Sequence, residues 1–414
     1  MRATVVNCTS DHNKGASAIS WGLVQRLVTS PSVDAVTLVS KTAAAGHPEF
    51  RHTVERFAGD VPLLASPMPG RREHAFRNAA SLLGPAVGLR SADYRRGLVL
   101  RDPAAHAIAT SDVVFNRGGP FFSVPKGRFH IGVRLSWPLL FAEAEGIPYA
   151  LVGEGVGPFA NRWAERFHRR VFEGAALVRV RDELSRRRLV SIGVPEDRIE
   201  LTLDNAFWIE PDASARVQRV MQTNGLADEG FIAVTVRRWP GADAYLPELA
   251  KTIDDLVPSF VDRAVLVSNT YTPGKPEADD RNLTRDLGEL LAHNPGVVVL
   301  DEDLTPEELA SLYGRAAVTL GTRLHSVILA LVGGRPAVAV SYLPKTEGVM
   351  SLLGLGEYVL DMHGFRHERA AELVRQAAVQ QGHVPALIDR RREEDSAGLE
   401  AFLAGLAPRN APPH

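Results

Sequence analysis

The sequence Ala317-Val-Thr-Leu-Gly-Thr-Arg-Leu-His-Ser-Val-Ile-Leu-Ala-Leu-Val-Gly-Gly-Arg-Pro-Ala-Val-Ala-Val-Ser-Tyr-Leu-Pro-Lys345 predicts a strand, a helix and a second strand in succession. Apolar residues form the first strand over Ala317–Leu320, the helix over Leu324–Val332 and the second strand over Ala337–Ser341. Gly333-Gly334 end the helix. Because both strands are apolar throughout, we predict that they lie inside a parallel sheet covered by helices on both faces.

A polar segment, Gly321–Ser326, joins the first of these strands to the helix and contains Arg323 and His325. The start of a helix offers free backbone N–H groups and a positive dipole end, so this junction suits an anion. As alternatives, Arg323 could cap a neighbouring element and His325 could be a core histidine. We favour a functional site because a buried charge is costly without a partner and Lys345 follows the very next strand.

The spacing of Arg323 and His325 adds a geometric condition. Residues two apart on a regular helix point away from each other. Both side chains can therefore face one ligand only if the turn before the helix is irregular.

The bulk composition indicates a globular protein with more than one domain. The chain has 414 residues, is 45% hydrophobic and 23% charged, and carries a formal net charge of -2. This charge does not favour nucleic acid as a partner. A single cysteine, Cys8, excludes an internal disulfide framework, and no histidine spacing indicates a metal site. The absence of a signal-like or membrane-spanning apolar run predicts a cytoplasmic protein.

Alternating strands and helices predict two domains, one over residues 1–210 and one over residues 211–414. The mostly polar stretch Ile209–Gly230 is predicted to be the linker, and the C-terminal helices can pack back on the first domain. Thr305-Pro306-Glu307-Glu308 predicts a helix start with a capping box. The fold prediction is α/β, with two Rossmann-like doubly wound domains that face each other across a cleft, as in GT-B glycosyltransferases. Fold analogy alone does not give the chemistry.

Several further polar or glycine-rich segments follow predicted strands along the chain. They are Asn13-Lys14-Gly15-Ala16-Ser17-Ala18-Ile19, Asn116-Arg117-Gly118-Gly119, Gly153-Glu154-Gly155-Val156-Gly157-Pro158-Phe159, Val180-Arg181-Asp182-Glu183-Leu184-Ser185, Asp204-Asn205-Ala206-Phe207 and Val234-Thr235-Val236-Arg237. Together with Gly321–Ser326 and Ser341-Tyr342-Leu343-Pro344-Lys345, they resemble the polysaccharide pyruvyl transferase family. The likeness covers nearly the whole chain, and the Arg-Leu-His segment with the following Tyr-x-x-Lys is its most specific part.

The resemblance implies a GT-B-like fold and transfer from phosphoenolpyruvate to two hydroxyls of a sugar, which yields a pyruvate ketal and phosphate. It also implies that Arg323 and His325 hold the donor, with Arg181 and Arg237 as further candidates. The sequence departs from the family at Ala16, where an acidic residue is usual, and at Glu154, where glutamine is more common.

A compact, strongly anionic donor requires several cations, and Arg323, Arg181, Arg237 and Lys345 each follow a predicted strand. We therefore predict one donor site formed by these residues with His325 and Ser326. Arg323 and His325 are the predicted catalytic residues, and His325 acts either as general acid or as phosphate ligand. Phosphoenolpyruvate is a co-substrate, and no cofactor is expected.

The acceptor is expected on the N-terminal side. The predicted acceptor-binding residues are Asn13, Arg117, Glu154 and Asp204. Asp204 or Glu154 could deprotonate an acceptor hydroxyl, and a structural role is an equal alternative for either; the turn at Asn13 could equally contact a ligand or only shape the chain.

Two other functions remain open at this point. The main alternative is a nucleotide-sugar-dependent GT-B glycosyltransferase, in which the Arg323 segment would hold a pyrophosphate. The second is a binding module without catalysis. If the acceptor is lipid-linked, the protein is expected at the membrane periphery.

Overall fold

Two parallel β-sheets form the framework of the structure, each within its own compact unit. The computed structural model describes residues 1–40, 47–57, 59–66, 88–124, 129–240, 244–272 and 279–406. One unit comprises Met1–Asp11, Ile19–Asn205 and the chain from Glu393 onward. The other comprises His12–Ala18 and Ala206–Arg392. We call them the N-terminal and the C-terminal unit.

The N-terminal unit contains a sheet of eight parallel strands in the order β3-β2-β1-β4-β6-β7-β8, with β5 paired to β6. Its strands are β1 (Arg2–Cys8), β2 (Ala35–Ser40), β3 (Leu63–Ala65), β4 (Val113–Asn116), β5 (Gly119–Val124), β6 (Tyr149–Phe159), β7 (Leu177–Val180) and β8 (Glu200–Leu201). The helices in this part of the chain are α1 (Lys14–Val28), α2 (Arg51–Arg56), α3 (Ala92–Arg101), α4 (Pro103–Ala109), α5 (Phe129–Ala144), α6 (Arg162–Gly174) and α7 (Glu183–Ser191). The first residues of α1 belong to the C-terminal unit.

The C-terminal unit contains six parallel strands in the order β11-β10-β9-β12-β13-β14. The strands are β9 (Phe231–Thr235), β10 (Arg263–Val267), β11 (Val297–Leu300), β12 (Val318–Gly321), β13 (Ala337–Ser341) and β14 (Val359–Asp361). The helices are α8 (Ala215–Thr223), α9 (Tyr245–Leu256), α10 (Asp280–Leu290), α11 (Pro306–Tyr313), α12 (Leu324–Val332), α13 (Pro344–Leu352), α14 (His367–Gln380) and α15 (Val384–Ala404). Short 3₁₀ turns occupy Pro48–Phe50, Glu196–Arg198, Asn205–Trp208, Gly356–Tyr358 and Gln381–His383.

The central strands are buried along their whole length because helices follow them on both sides of each sheet. Every residue of β4, β9, β12 and β13 is buried. This explains why their sequences are continuously apolar rather than alternating. The α12 helix and β13 occupy the residues predicted from the sequence, and β12 is shifted by one residue from its predicted range.

The end of α15 packs within the N-terminal unit through Asp395. The Asp395 carboxylate accepts hydrogen bonds from the Thr202 hydroxyl and the Leu203 backbone N–H, both at 2.8 Å. Its carbonyl oxygen accepts from Arg179 at 2.9 Å and from Arg26 at 3.1 Å. These bonds attach the C-terminal helix to residues near β7 and β8.

The stretch Ile209–Gly230 is more than a linker, contrary to the prediction. It contains α8, which buries Val217, Val220 and Met221 on one face. Its polar residues lie on the exposed face of an amphipathic helix, and this explains why the stretch looked like a linker.

No helix within the described residues has the length and apolar character needed to cross a membrane.

The capping box predicted at the start of α11 is confirmed. The Thr305 side chain accepts a hydrogen bond from the Glu308 backbone N–H at 3.1 Å. The Glu308 carboxylate accepts in return from the Thr305 backbone N–H at 2.9 Å.

Replacing Thr305 by alanine is expected to lower the unfolding free energy of the C-terminal unit by about 1 kcal/mol, because the cap bond is lost. Denaturant titration followed by circular dichroism measures this. Thr223→Ala, at an exposed position in the last turn of α8, is the matched control and should leave the midpoint unchanged. Equal midpoints for Thr305→Ala and wild type would contradict the role of the cap.

Candidate functional site

Three cations lie at the carboxyl edge of the C-terminal sheet. Arg237 follows β9, Arg323 follows β12 and Lys345 follows β13. These three strands are neighbours and run parallel, so their ends meet at one edge. Ligands of open α/β sheets bind at this edge. We call Arg237, Arg323 and Lys345 the cationic cluster.

A hydrogen-bond network fixes the turn that carries Arg323. Thr235, the last residue of β9, accepts a bond from the Thr322 hydroxyl at its carbonyl oxygen (2.8 Å) and shares one with the Ser326 hydroxyl (2.8 Å). The Ser326 hydroxyl donates to the Arg323 carbonyl oxygen at 2.6 Å. Since Ser326 is fully buried, its contribution to the site is to hold the backbone of Arg323.

This turn meets the geometric condition set by the sequence. Arg323 precedes the helix in an extended conformation, with φ -95° and ψ 124°, whereas His325 is the second residue of α12. The two side chains therefore do not share one regular helix, and the restriction on residues two apart does not apply.

Arg323 forms an ion pair with Asp280, the first residue of α10. Their side chains are 12% and 4% exposed. Burial raises the pKa of Asp280, and the charges of Arg323 and Arg237 oppose that rise. Breaking such a buried pair by removing one partner typically costs 3–5 kcal/mol, about the same for either residue. The pair fixes Arg323 at the strand edge.

Two aromatic rings lie beside the other two cations of the cluster, Arg237 and Lys345. The Arg237 guanidinium lies 5.1 Å from the ring centre of Tyr342, and the Lys345 ammonium lies 5.9 Å from the same ring. The Trp239 ring packs against Tyr342 at 4.6 Å. Burial lowers the pKa of Arg237, and the nearby charge of Arg323 lowers it further. Among the described residues, no carboxylate forms an ion pair with Arg237.

Two helices also begin at this edge without a side-chain cap, α12 and α13. His325 and Lys345 are each the second residue of their helix. A positive charge is unfavourable at the positive end of a helix dipole. An anion bound between the two N-termini would offset this and would accept bonds from free backbone N–H groups.

The His325 imidazole packs against Gly15. A Cβ atom at position 15 would overlap the ring, so glycine is required for this contact. Gly15 is held by the turn before it: the backbone N–H of Lys14 donates to the Asn269 carbonyl at 3.0 Å, and Asn13 bridges to Thr270. Lys14, 1% exposed, forms an ion pair with Asp303.

This places Asn13 in the C-terminal unit, beside residues that follow β10, although it was predicted with the acceptor residues. The Asn13 side-chain oxygen accepts from the Ala16 backbone N–H at 3.2 Å and so caps α1.

The N-terminal unit contains a second charged cluster, which is fully buried. It comprises Arg117, Glu154, Arg181 and Asp204, each at most 3% exposed. Arg181 forms an ion pair with Asp204, and the Arg117 Nε donates to the Asn7 carbonyl at 3.2 Å. We call these four residues the buried tetrad.

Arg181 lies in a different unit from three of the other predicted donor residues. Arg181 belongs to the N-terminal unit, whereas Arg237, Arg323 and Lys345 belong to the C-terminal unit. Arg181 has the Asp204 carboxylate as its partner, which is how a buried ion is tolerated. A donor-binding role for Arg181 remains a prediction.

Glu154 has a strongly altered acidity. Burial raises its pKa to about 8, against the opposing effects of a hydrogen bond from Asn116 and the charges of Arg117 and Arg181. The Asn116 side-chain N–H donates to Glu154 at 2.6 Å. At neutral pH the carboxyl group is therefore mainly protonated, which suits hydrogen-bond donation better than action as a base.

Several residues near these sites were not predicted from the sequence. They are Asp280, Tyr342 and Trp239 in the C-terminal unit, and Asn116 in the N-terminal unit. Tyr342 and Asn116 stood within the quoted motifs, and Asp280 is the first residue of α10. Their side-chain partners come from distant parts of the chain, and a single sequence gives no signal for that pairing.

One group of described residues has metal-ligand geometry: Glu248, His367 and Glu368, whose ligand atoms lie within 4.8 Å of one another. The Glu248 carboxylate already accepts bonds from Lys251 at 2.7 Å and from the His367 backbone N–H at 3.1 Å. These bonds hold the pKa of Glu248 at about 2. Because Lys251 and His367 already compensate the charge of the Glu248 carboxylate, we assign no metal to these three residues.

The fold defines a class of two-unit α/β proteins, and several solved structures are similar to this chain. HepE of Anabaena in complex with UDP and glucose is 14% identical, with a TM-score of 0.59 over 97% of this chain and 100% of that one. The UDP-GlcNAc 2-epimerase of Methanocaldococcus jannaschii is 13% identical, with a TM-score of 0.58 over 95% and 99%. These likenesses show that the fold is GT-B-like.

A family model described as polysaccharide pyruvyl transferase matches residues 13–344. The chain belongs to this family. It is also 27% identical over 266 residues to the amylovoran biosynthesis protein AmsJ of Erwinia amylovora, and the match covers 61% of each chain.

The raised pKa of Glu154 gives a testable dependence of stability on pH. Below about pH 4.5 the carboxyl is neutral in the folded and unfolded states. Between pH 4.5 and about 8 the unfolded chain loses this proton and the folded chain keeps it, so the wild type loses stability as pH rises. Glu154→Gln cannot ionise and should gain melting temperature relative to wild type over this range.

Melting temperatures of wild type and Glu154→Gln at several pH values test this expectation. Glu357→Gln, at an exposed position, is the matched control and should follow the wild type. A constant difference between Glu154→Gln and wild type at all pH values would show that Glu154 is not buried as a neutral acid.

Proposed function

We propose that this protein transfers a pyruvyl group from phosphoenolpyruvate to two hydroxyls of a sugar or glycoconjugate, forming a ketal and releasing phosphate. The observation that carries the proposal is the cationic cluster at two uncapped helix N-termini in a member of this family. Arg237 supports it most directly, because it is a largely buried cation with no carboxylate partner among the described residues. A bound dianion would supply the missing charge.

The donor carries a phosphate and a carboxylate, and both match the groups at this edge. Arg237 and Arg323 can each give two parallel N–H bonds to one of these anions, and Lys345 adds a point charge. The backbone N–H groups at the starts of α12 and α13 complete the phosphate site. Ser326 contributes by fixing the Arg323 backbone.

The reaction requires one proton to reach the CH2 carbon of the enol. His325 is the proposed donor of this proton, which converts CH2 to CH3 and leaves an oxocarbenium-like centre at the neighbouring carbon. The first acceptor hydroxyl adds to this centre and loses its proton. Phosphate then leaves with its bonding electrons, and the second hydroxyl adds to the same carbon and gives its proton to the departing phosphate, which closes the ketal ring. The cations stabilise the phosphate as its charge increases.

The proposed acceptor residues are Asn13, Arg117, Glu154 and Asp204. Arg181, which pairs with Asp204, stays a proposed donor-binding residue. The raised pKa of Glu154 suits hydrogen-bond donation to a sugar oxygen.

The alternative is a glycosyltransferase that uses a nucleotide sugar. It is supported by the likeness to HepE, whose structure holds UDP and glucose. In that case the cationic cluster would bind a pyrophosphate, and the rings of Trp239 and Tyr342 would lie beside it.

Thermal-shift measurements distinguish the two functions. Phosphoenolpyruvate at 100 times its Kd should stabilise the protein by about 2.7 kcal/mol, while UDP and GDP should not. Stabilisation by UDP or GDP alone would support the glycosyltransferase instead. Release of phosphate from phosphoenolpyruvate only when an acceptor is present would exclude a binding module without catalysis.

Replacing Arg237 by glutamine should weaken phosphoenolpyruvate binding about 10- to 150-fold, because one charge-assisted contact is worth roughly 1.5–3 kcal/mol. Isothermal titration calorimetry measures the change. Arg238→Gln is the matched control, since Arg238 is the next residue, is exposed and pairs with Asp286. The assignment of Arg237 fails if both variants bind like the wild type.

His325→Asn should retain donor binding and lose turnover, because asparagine cannot deliver the proton. To test Arg323, the variant Arg323→Lys is preferred to Arg323→Ala. Lysine keeps a positive charge beside the buried Asp280, so the fold is better preserved. Wild-type turnover in His325→Asn would reject His325 as the general acid.

A further inference from the structure

A large aromatic side chain is exposed at the start of α6. Trp163 is 71% exposed, although most tryptophan side chains are largely buried. It lines an open cavity of ≈ 570 Å³ together with Asn161, Arg166 and Phe167. Single exposed apolar residues are common on proteins, so the side chains around Trp163 decide whether this surface is a site of interaction.

The helix that carries Trp163, α6, packs against a group of aromatic rings. His168, on the buried face of α6, stacks on Phe159 at 4.9 Å and contacts Phe167 at 5.2 Å and Phe122 at 5.8 Å, measured between ring centres. Burial lowers the pKa of His168 to about 4, so the ring is neutral and packs as part of this aromatic group. Trp163 therefore projects from a helix that is firmly attached to the sheet.

Two arginines, Arg162 and Arg166, flank Trp163, with the half-buried Glu165 between them. The Arg166 guanidinium lies 5.5 Å from the Trp163 ring centre. Within the described part of the chain, neither Arg162 nor Arg166 forms an ion pair with a carboxylate. The other two arginines of α6 do: Arg169 pairs with Glu173 and Arg170 with Glu143. The free positive charge of the helix is thus concentrated beside its exposed aromatic ring.

We propose that this surface, formed by Arg162, Trp163, Arg166 and Phe167, docks the protein on an anionic lipid membrane. Tryptophan favours the boundary between lipid headgroups and acyl chains, and arginine binds lipid phosphates while its stem covers apolar surface. Basic residues near an anionic membrane each add to the attraction. The inference concerns a separate surface and does not depend on the proposed transfer reaction.

A glycan fits this surface less well than a membrane does. Sugars require several hydrogen-bonding groups at fixed positions. The Asn161 side-chain oxygen is occupied, because it accepts from the backbone N–H groups of Trp163 at 3.0 Å and Ala164 at 2.9 Å. This leaves mainly aromatic surface and guanidinium charge, which match a lipid boundary.

Co-sedimentation of the full chain with vesicles tests the proposal. The wild type should bind vesicles of phosphatidylcholine mixed with phosphatidylglycerol more tightly than vesicles of phosphatidylcholine alone. Trp163→Ala should weaken this binding about tenfold or more, because the buried indole surface is lost. Arg162→Gln and Arg166→Gln should each weaken it about fivefold, and high salt should reduce their effect.

Two variants serve as controls. Leu100→Ala removes a 79% exposed apolar side chain from α3, and Arg375→Gln removes a surface cation of the C-terminal unit. Both should bind vesicles like the wild type. Because Trp163 is exposed, its replacement should not unfold the protein, and circular dichroism checks this.

The proposal is overturned if the wild type does not bind the anionic vesicles, or if Trp163→Ala binds them as tightly as the wild type does. A Trp163→Ala variant with unchanged vesicle binding but a higher KM for a water-soluble glycan acceptor would assign the surface to the glycan instead.

Discussion

The ion pair between Arg323 and Asp280 is the interaction on which the candidate site depends. Both groups are largely removed from water, and each would be strongly unfavourable without the other. The pair connects the start of α10 to the turn after β12, two parts of the chain that are far apart in sequence. With Arg323 held in this way, the network of Thr235, Thr322 and Ser326 can fix the backbone from which α12 begins.

The buried tetrad and the cationic cluster differ in the partners that their cations have within the described residues. In the buried tetrad, two arginines and two acidic residues lie close together and none is appreciably exposed. Arg181 pairs there with Asp204, and Arg117 donates to the Asn7 carbonyl oxygen, so both cations have partners within the protein. In the cationic cluster, Arg237 is held by stacking on aromatic rings rather than by a carboxylate of the described residues. Aromatic contact fixes the position of a cation without cancelling its charge, and the cluster therefore keeps its attraction for an anion.

The sequence predicted the local structure of the site well and its side-chain contacts less well. The boundaries of α12 and β13 were predicted because apolar runs ended by glycine depend on neighbouring residues only. The placement of Arg237, Arg323 and Lys345 at one edge follows from parallel strand order, which the alternation of elements indicates. Arg181 was grouped with them because it too follows a strand and matches a family motif, although its strand was predicted in the first domain; its partner there, Asp204, was not foreseen. Asp280 could not be foreseen, since its partner lies 43 residues away.

The contact between Gly15 and His325 has a consequence for how the imidazole behaves. One side of the ring contacts the backbone of Gly15. Glycine has no side chain that could move aside. The orientation of the ring is thus set by the path of the backbone, and rotation of the ring about its own bond is sterically limited. A side chain at position 15 would overlap the imidazole and force it into another orientation.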